Sequence, residues 1–231
     1  MQLSKRLLTI ADMVTKGNRV VDVGTDHGYI PIYLIKNKRI PNAIAMDIGK
    51  GPLERAKTNI QKENLELYIE TRLSDGVQAL YAKEADTMII AGMGGGLVKK
   101  IIEEGREVLK TVREYILQPQ SDIEMVRKYL EQEEYTIKEE RMVLEDGKFY
   151  PIMRVCSGIE KYKREIYYKY GKILLEEKND ILYLFLKKEL ETYKKLEEQL
   201  TNSDGEHILI RLEEIRKEIG YIKEALAFYI I

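Results

Sequence analysis

Apolar positions in the first two-thirds of the chain switch period several times. The opening segment sets Leu3, Leu7, Ile10, Met13 and Val14 on one helical face. Short β-type runs follow at residues 19–24, 42–48, 67–75, 86–92 and 114–120, with helical patterns between them at 30–37, 52–63, 97–109 and 123–133. Several of these runs are continuously apolar, as strands of a parallel sheet covered on both faces must be. Two further strand-like runs, 136–146 and 148–157, are separated only by Gly147 and predict an antiparallel hairpin. Successive βα units closed by such a pair predict a doubly wound α/β sheet.

From Ile159 the β signal stops. Ile208, Leu212, Ile215, Ile219, Ile222 and Leu226 step by three and four residues, the spacing of a heptad seam. Leu182, Leu186, Leu190, Tyr193, Leu196 and Leu200 form a looser stripe of the same kind, and the turn residues TNSDG (201–205) lie between the two. The plain reading is a coiled-coil-like helical hairpin whose stripes pack on each other; the other is a dimerisation coiled coil, for which the seam is short. The expected division is therefore 1–158 and 159–231, the whole being a monomer or weak homodimer.

Composition narrows the class. The 231 residues are 44% hydrophobic and 33% charged, enough for a real core. No apolar run approaches the roughly 20 residues that cross a bilayer, and no signal-peptide core opens the chain, so the expectation is a cytoplasmic protein with no membrane partner. A single cysteine, Cys156, excludes an internal disulfide and a cysteine-cluster zinc site, and two histidines argue against a histidine-rich metal site. With 38 basic and 39 acidic residues the net charge is −1, so affinity for nucleic acid has to come from a local patch.

The first chemically informative segment is VDVGTDHGYIP, residues 21–31. Gly24 and Gly28 follow a buried strand and let the backbone approach a ligand at its carboxyl end. Their spacing is not the G-x-G-x-x-G of dinucleotide folds, and Asp22 would repel a phosphate while suiting a cationic amino group. Asp47, 23 residues after Gly24, ends the second strand where a carboxylate accepts ribose hydroxyls. Asp75-Gly76 ends the third, where the acid suits a purine amine. The fourth ends in AGMGGG (91–96), which is no Walker loop. Amino acid, ribose and purine without phosphate describe S-adenosylmethionine. A nicotinamide oxidoreductase is disfavoured by the missing phosphate loop, and a non-catalytic RNA-binding module by the retention of all these acids and glycines.

The run from Asp22 to Pro31 resembles the D-I-G-[ST]-D-H-[AG]-Y-[LI]-P signature of TrmK-type tRNA (adenine-N1)-methyltransferases, which modify adenosine 22 of tRNA. Lys50-Gly51-Pro52, Asp75-Gly76, Gly92-Met93-Gly94-Gly95, Leu117-Gln118-Pro119 and the run from Glu145 to Tyr150 are similar as well. The chain departs from the family at Gln120, where asparagine is usual, and at Asp47, where glutamate is common. The resemblance implies a Rossmann-like class I methyltransferase sheet that binds S-adenosylmethionine, with S-adenosylhomocysteine as product and no metal. It implies cofactor contacts at Asp22, Gly24, Thr25, Gly28, Asp47, Ile48, Asp75, Gly76, Gly92, Met93 and Gly94. Asp26, His27 and Tyr29 become the catalytic candidates: Asp26 to meet charge developing on the base, His27 to orient the loop, Tyr29 to stack on the adenine. The plainer role for Asp26 is a helix cap. Gln118 and Pro119 would meet the tRNA.

A second tRNA contact is expected at residues 160–172, EKYKREIYYKYGK, where Lys161, Lys163, Arg164, Lys169 and Lys172 interleave with Tyr162, Tyr167, Tyr168 and Tyr170. Cations for phosphates and aromatics for unstacked bases are the ingredients of RNA contact. Lys5, Arg6, Lys36, Lys38 and Arg39 suggest another patch near the mouth of the site.

Overall fold

All the runs expected to be strands lie in one seven-stranded sheet of the computed structural model, which describes residues 3–201 and 206–230. The chain divides into two compact units, Met1–Glu160 and Lys161–Ile231. The first contains α1 (Lys5–Met13), β1 (Val20–Val23), α2 (Tyr29–Lys36), β2 (Ala43–Asp47), α3 (Lys50–Lys62), β3 (Ile69–Leu73), β4 (Thr87–Met93), α4 (Gly95–Glu104), α5 (Arg106–Leu109), β5 (Glu114–Pro119), α6 (Ile123–Gln132), β6 (Tyr135–Glu145) and β7 (Lys148–Ser157). Strand order is β3-β2-β1-β4-β5-β7-β6, parallel from β3 to β5 and antiparallel through the β6–β7 hairpin. The order reverses between β1 and β4, and ligands of open α/β sheets sit beyond the carboxyl ends of the strands at such a switch point.

Central strands are buried along their length because helices cover both faces, which is why β1 reads VVDV and β5 EYILQP rather than alternating. One core joins Ile10 and Ala11 of α1, Ile32 and Leu34 of α2 and Ile60 of α3 to the sheet; α4 packs with α6. Two local expectations change. The link between β6 and β7 is the pair Asp146-Gly147, both left-handed (φ 49° and 73°), a two-residue turn rather than a lone glycine. The single helix expected over 97–109 is broken after Glu104. A side chain at Gly105 would meet Val77 Cγ2 at 2.3 Å, so close packing there admits only glycine, and the chain restarts as α5.

The second unit contains α7 (Glu165–Tyr170), α8 (Lys172–Glu176), α9 (Asp180–Thr201) and α10 (Glu206–Leu226). α9 and α10 pack on each other, burying Leu182 and Leu186 on one side and Leu212, Ile215, Ile219 and Ile222 on the other. Ile166, Tyr170, Leu174 and Leu175 of the two short helices complete this core. Of the expected turn at 201–205, Thr201 ends α9 and the rest lies outside the described residues. Among the described residues no helix is long and apolar enough to cross a membrane.

Candidate active site

The carboxyl ends of β1 and β4 open into a cleft of about 380 Å³ lined by Asp22, Gly24, Thr25, Asp26, His27, Tyr29, Gly92 and Gln120, with Arg6 and Leu7 arriving from α1. Its floor is the turn after β1. The amides of Gly24 and Thr25 both donate to the Met46 carbonyl, at 2.8 and 2.9 Å, which folds the turn back over β2. Gly24 has φ 77°, and a Cβ there would sit 2.2 Å from Met93 Cε. The left-handed backbone demands glycine, and the flexible Met93 side chain lies over the space its missing Cβ leaves.

Asp22 is buried at the cleft's base and has, among the described residues, one side-chain partner, the Thr25 hydroxyl, which donates to Oδ2 at 2.6 Å. Burial pushes its carboxyl up to about 6 against the pull of that hydrogen bond, and the negative charge of Asp47 adds to the rise. A carboxylate buried with no cation beside it is costly in the free protein and favours a cationic ligand group.

Beyond the turn, Asp26 has φ 42° and its side chain is half-exposed. It is no helix cap: Gly28 caps α2 and no side chain contributes. Arg55 of α3 donates to Asp26 Oδ1, and His27 Nε2 lies 3.5 Å from Oδ2. The His27 ring stacks on Tyr29 with centroids 4.9 Å apart and planes 9° from parallel, while Asn59 Nδ2 donates to the His27 carbonyl at 3.0 Å. Helix α3 thus holds the loop at three points, since Ala56 Cβ also closes on Gly28.

At the end of β4 the register slips between Ala91 and Met93, a bulge that leaves Gly92 unpaired at φ 79°. Its amide donates to Gln118 Oε1 at 3.1 Å, and the same oxygen accepts from Arg6 Nη1 at 2.9 Å. Gln118 is fully buried and Pro119 is buried beside it. Gln118 and Pro119, expected to meet the tRNA, are thus covered, and what reaches the cleft is the guanidinium and the bulge that Gln118 holds. The glycines after Met93 also divide: Gly94 caps α4, whereas Gly95 is packed so tightly that a Cβ would lie 2.6 Å from the Ser121 carbonyl.

The ends of β2 and β3 lie outside this cleft. Asp47 accepts from the Gly49 amide at 2.7 Å through Oδ1, and the neighbouring Ile48 is 67% exposed. Asp75 and Gly76 line a separate cavity of about 220 Å³ with Val77 and Ile101. Arg6, expected near the mouth, does line the cleft, whereas Leu7 as a cleft residue and Arg55 as the partner of Asp26 were not legible. Arg6 lies 112 positions from its partner Gln118, so no local spacing could announce it. Lys36, Lys38 and Arg39 lie at the far end of α2 in another pocket, not near the mouth with Arg6.

In the second unit much of the basic segment is already paired. Arg164 donates to Glu224 at 2.7 Å and lies over the Phe228 ring, and Lys169 reaches Glu218 at 3.0 Å and lies over Tyr221. Tyr167 packs edge-on to Phe228 and under Arg164. Lys161 and Lys163 are exposed, without an ion-pair partner among the described residues.

Comparison with known proteins decides the family. The model of the tRNA (adenine(22)-N(1))-methyltransferase family matches residues 20–224. The chain belongs to this family. The Bacillus subtilis tRNA (adenine(22)-N(1))-methyltransferase is 34% identical, with 98% of each chain aligned. A putative tRNA (m1A22) methyltransferase of Streptococcus pneumoniae, solved with S-adenosyl-L-methionine, superposes with a TM-score of 0.85 at 32% identity, covering 97% of this chain and 100% of that one. The M. capricolum TrmK, solved with S-adenosyl-homocysteine, gives 0.86 at 26% identity and covers 99% of each chain. In this tRNA (adenine(22)-N(1))-methyltransferase family member the signature run supplies most of the cleft's lining, from Asp22 to Ile30. Among the described residues no group of histidine, cysteine and acidic side chains has the makings of a metal site.

Proposed function

We propose that this chain methylates N1 of adenosine 22 in tRNA with S-adenosylmethionine as methyl donor. The single observation that carries the reading is the cleft itself, where the family signature brings a buried, cation-seeking Asp22 to the turn that also presents Asp26, His27 and Tyr29. The residues suit the cofactor. Asp22 would receive its ammonium, Gly24, Thr25, Gly28, Met93 and Gly94 would allow close contact, Asp47 would accept from the ribose, and Ile48 with Asp75 and Gly76 would flank the purine. Bound there, the cofactor supplies an electrophilic methyl group.

What the protein does to the base follows from adenine chemistry. N1 has a lone pair and needs no base before attack, so the main contribution is alignment. N1 also lies on the Watson–Crick edge, so a paired or stacked adenosine has to be flipped out. Tyr29, backed by His27, is the stacking surface, and the bulge at Gly92 lets the base approach. Methylation makes the base cationic, and Asp26, held by Arg55, meets that charge and takes a proton from the exocyclic amine. Gln118 and Pro119 act on the substrate through Arg6 and Gly92. Lys161 and Lys163 contact tRNA phosphates, with Arg164, Tyr167 and Lys169 shaping the surface that carries them. The chain acts where tRNA resides, in the cytoplasm.

The test is methylation of a tRNA transcript followed by reverse transcription. A cofactor-dependent stop at position 22, lost when that adenosine is replaced, is the expected result. Methyl transfer to another position or to protein sinks the reading.

A further inference from the structure

The cleft described above is a poor place for a polyanion. Asp22 and Asp26 line it, Asp47 and Asp75 end the neighbouring strands, and its one lining guanidinium, Arg6, is engaged with Gln118 and lies over the Tyr150 ring. The whole chain has a net charge of −1. A tRNA held here needs a concentration of free cations somewhere else, because neutralised phosphates supply most of the sequence-independent affinity.

The first unit has such a place at the opposite ends of its strands. A pocket of about 530 Å³ is walled by Lys16, Lys36, Lys38 and Arg39 with Tyr68 and Leu65 in its floor, and no acidic residue lines it. The Gly17 amide donates to the Arg39 carbonyl at 2.8 Å, which draws the loop after α1 against the loop after α2 and brings Lys16 beside Arg39. Two acids answer the four cations: Lys36 pairs with Glu63, and Asp12 lies 3.9 Å from Arg39 Nη1. Lys16 and Lys38 are exposed, with no ion-pair partner among the described residues. Arg39 donates through Nη2 to the carbonyls of Asp12 and Val14, but its Nε is buried with no hydrogen-bond partner, the one such side-chain atom among the described residues. Tyr68, half-exposed, offers a ring to a sugar or unstacked base.

Helix α2 ties this pocket to the chemistry. Its first residue, Tyr29, lines the cleft and its last, Lys36, lines the pocket. Eight helical residues span about 12 Å, a distance that a few nucleotides of backbone cover. We propose that the pocket of Lys16, Lys36, Lys38 and Arg39 is a phosphate anchor for the tRNA backbone, holding the polyanion while the acidic cleft takes only the uncharged base. The anchor rests on the function proposed above and adds to it where the tRNA is gripped.

The test uses the full chain with Lys16→Gln and Lys38→Asn together. Both side chains are exposed, and asparagine tolerates the left-handed backbone of residue 38 (φ 52°). The expected result is a KM for tRNA raised roughly three- to tenfold, and a dependence of log KM on log salt shallower by about 1.5, as the loss of two phosphate contacts predicts. The kcat at saturating tRNA and the affinity for S-adenosylhomocysteine stay at wild-type values, and Lys16→Arg with Lys38→Arg restores KM. An unchanged KM and salt slope, or a fall in cofactor affinity, overturns the anchor. Inorganic phosphate should compete no better than chloride at equal ionic strength; selective competition reassigns the pocket to a free anion. Anisotropy of labelled tRNA keeps the two ideas apart. A wild-type chain that binds tRNA but leaves adenosine 22 unmodified refutes the reaction, and the double variant still reports on the anchor.

Discussion

The turn after β1 and the basic segment at 160–172 both stand out in the sequence as runs of chemically distinctive residues, yet the fold treats them in opposite ways. At the turn the buried charge stays uncompensated: Asp22 has the Thr25 hydroxyl and, among the described residues, no cation beside it, while the half-exposed Asp26 is paired with Arg55. The basic segment has its charge answered internally, Arg164 by Glu224 and Lys169 by Glu218, with Phe228 and Tyr221 beneath them. A cluster of one charge along the chain is therefore no measure of free charge. What matters is whether the partners lie in the same fold or have to come from a ligand. By that measure the cleft is built to receive something, and much of the basic segment serves its own unit.

The sharpest way to break this contrast is at the cleft. Asp26→Ala should lower kcat by about a hundredfold, the scale of a lost acid–base group, while leaving S-adenosylhomocysteine affinity within about twofold. Asp26 is half-exposed, so the fold should survive, and single-turnover methylation beside calorimetric titration separates the two quantities. An affinity that collapses with the rate moves Asp26 out of the reaction and into cofactor binding. Asp22→Asn comes next, with S-adenosylhomocysteine affinity falling about thirtyfold, as loss of a charged hydrogen-bond partner implies. Its effect on stability should have the opposite sign. A carboxyl whose folded value is raised to about 6 favours the folded state fully below its unfolded value, and that advantage is lost as pH rises through 6. Removing the titration should therefore stabilise the free protein near neutral pH by up to about 3 kcal/mol, with little gain at pH 4. The wild-type protein should likewise bind S-adenosylhomocysteine more weakly as pH drops below 6, because Asp22 then has to release a proton. A denaturant series across this range reads the first effect and titrations read the second. A variant that loses affinity and stability together leaves Asp22 a structural residue.

Much of this was visible in the chain. Continuous apolar runs such as residues 88–91 marked buried parallel strands, and the signature run placed Asp22, Gly24 and Asp26 at one strand end, because turn chemistry is local. Contacts across long separations were hidden. Arg55 meets Asp26 over 29 positions and Arg6 meets Gln118 over 112, and nothing in either neighbourhood encodes the partner. Helix α2 separates Arg6 from Lys36, Lys38 and Arg39, although Lys5, Arg6, Lys36, Lys38 and Arg39 read alike as nearby charges. Gly105 was readable as a glycine inside a helical pattern, but the Val77 side chain that requires it belongs to a different loop.

Smaller effects test whether the two regions differ in rigidity as well as charge. Gly95→Ala should destabilise the protein by about 1–3 kcal/mol, because its methyl would press on the carbonyls of Ser121 and Asp122 and on Val126, and packed backbone cannot move aside as a side-chain tip can. Thermal unfolding measures the loss; a neutral result means that the loop before α4 is slack, and the glycine run then loses its packing role. The smallest change is expected from Arg164→Gln with Lys169→Gln. These partly exposed ion pairs are each worth about 0.5 kcal/mol, so the melting temperature should fall by about 2–4 °C and KM for tRNA should change by less than about twofold in either direction. Lys161→Gln with Lys163→Gln, at the same net charge, should raise KM more, since those side chains have no internal partner to satisfy. Equal KM effects from the two double variants would erase the distinction between cations held by the fold and cations left for RNA, and would show that Glu218 and Glu224 give up their partners when tRNA arrives.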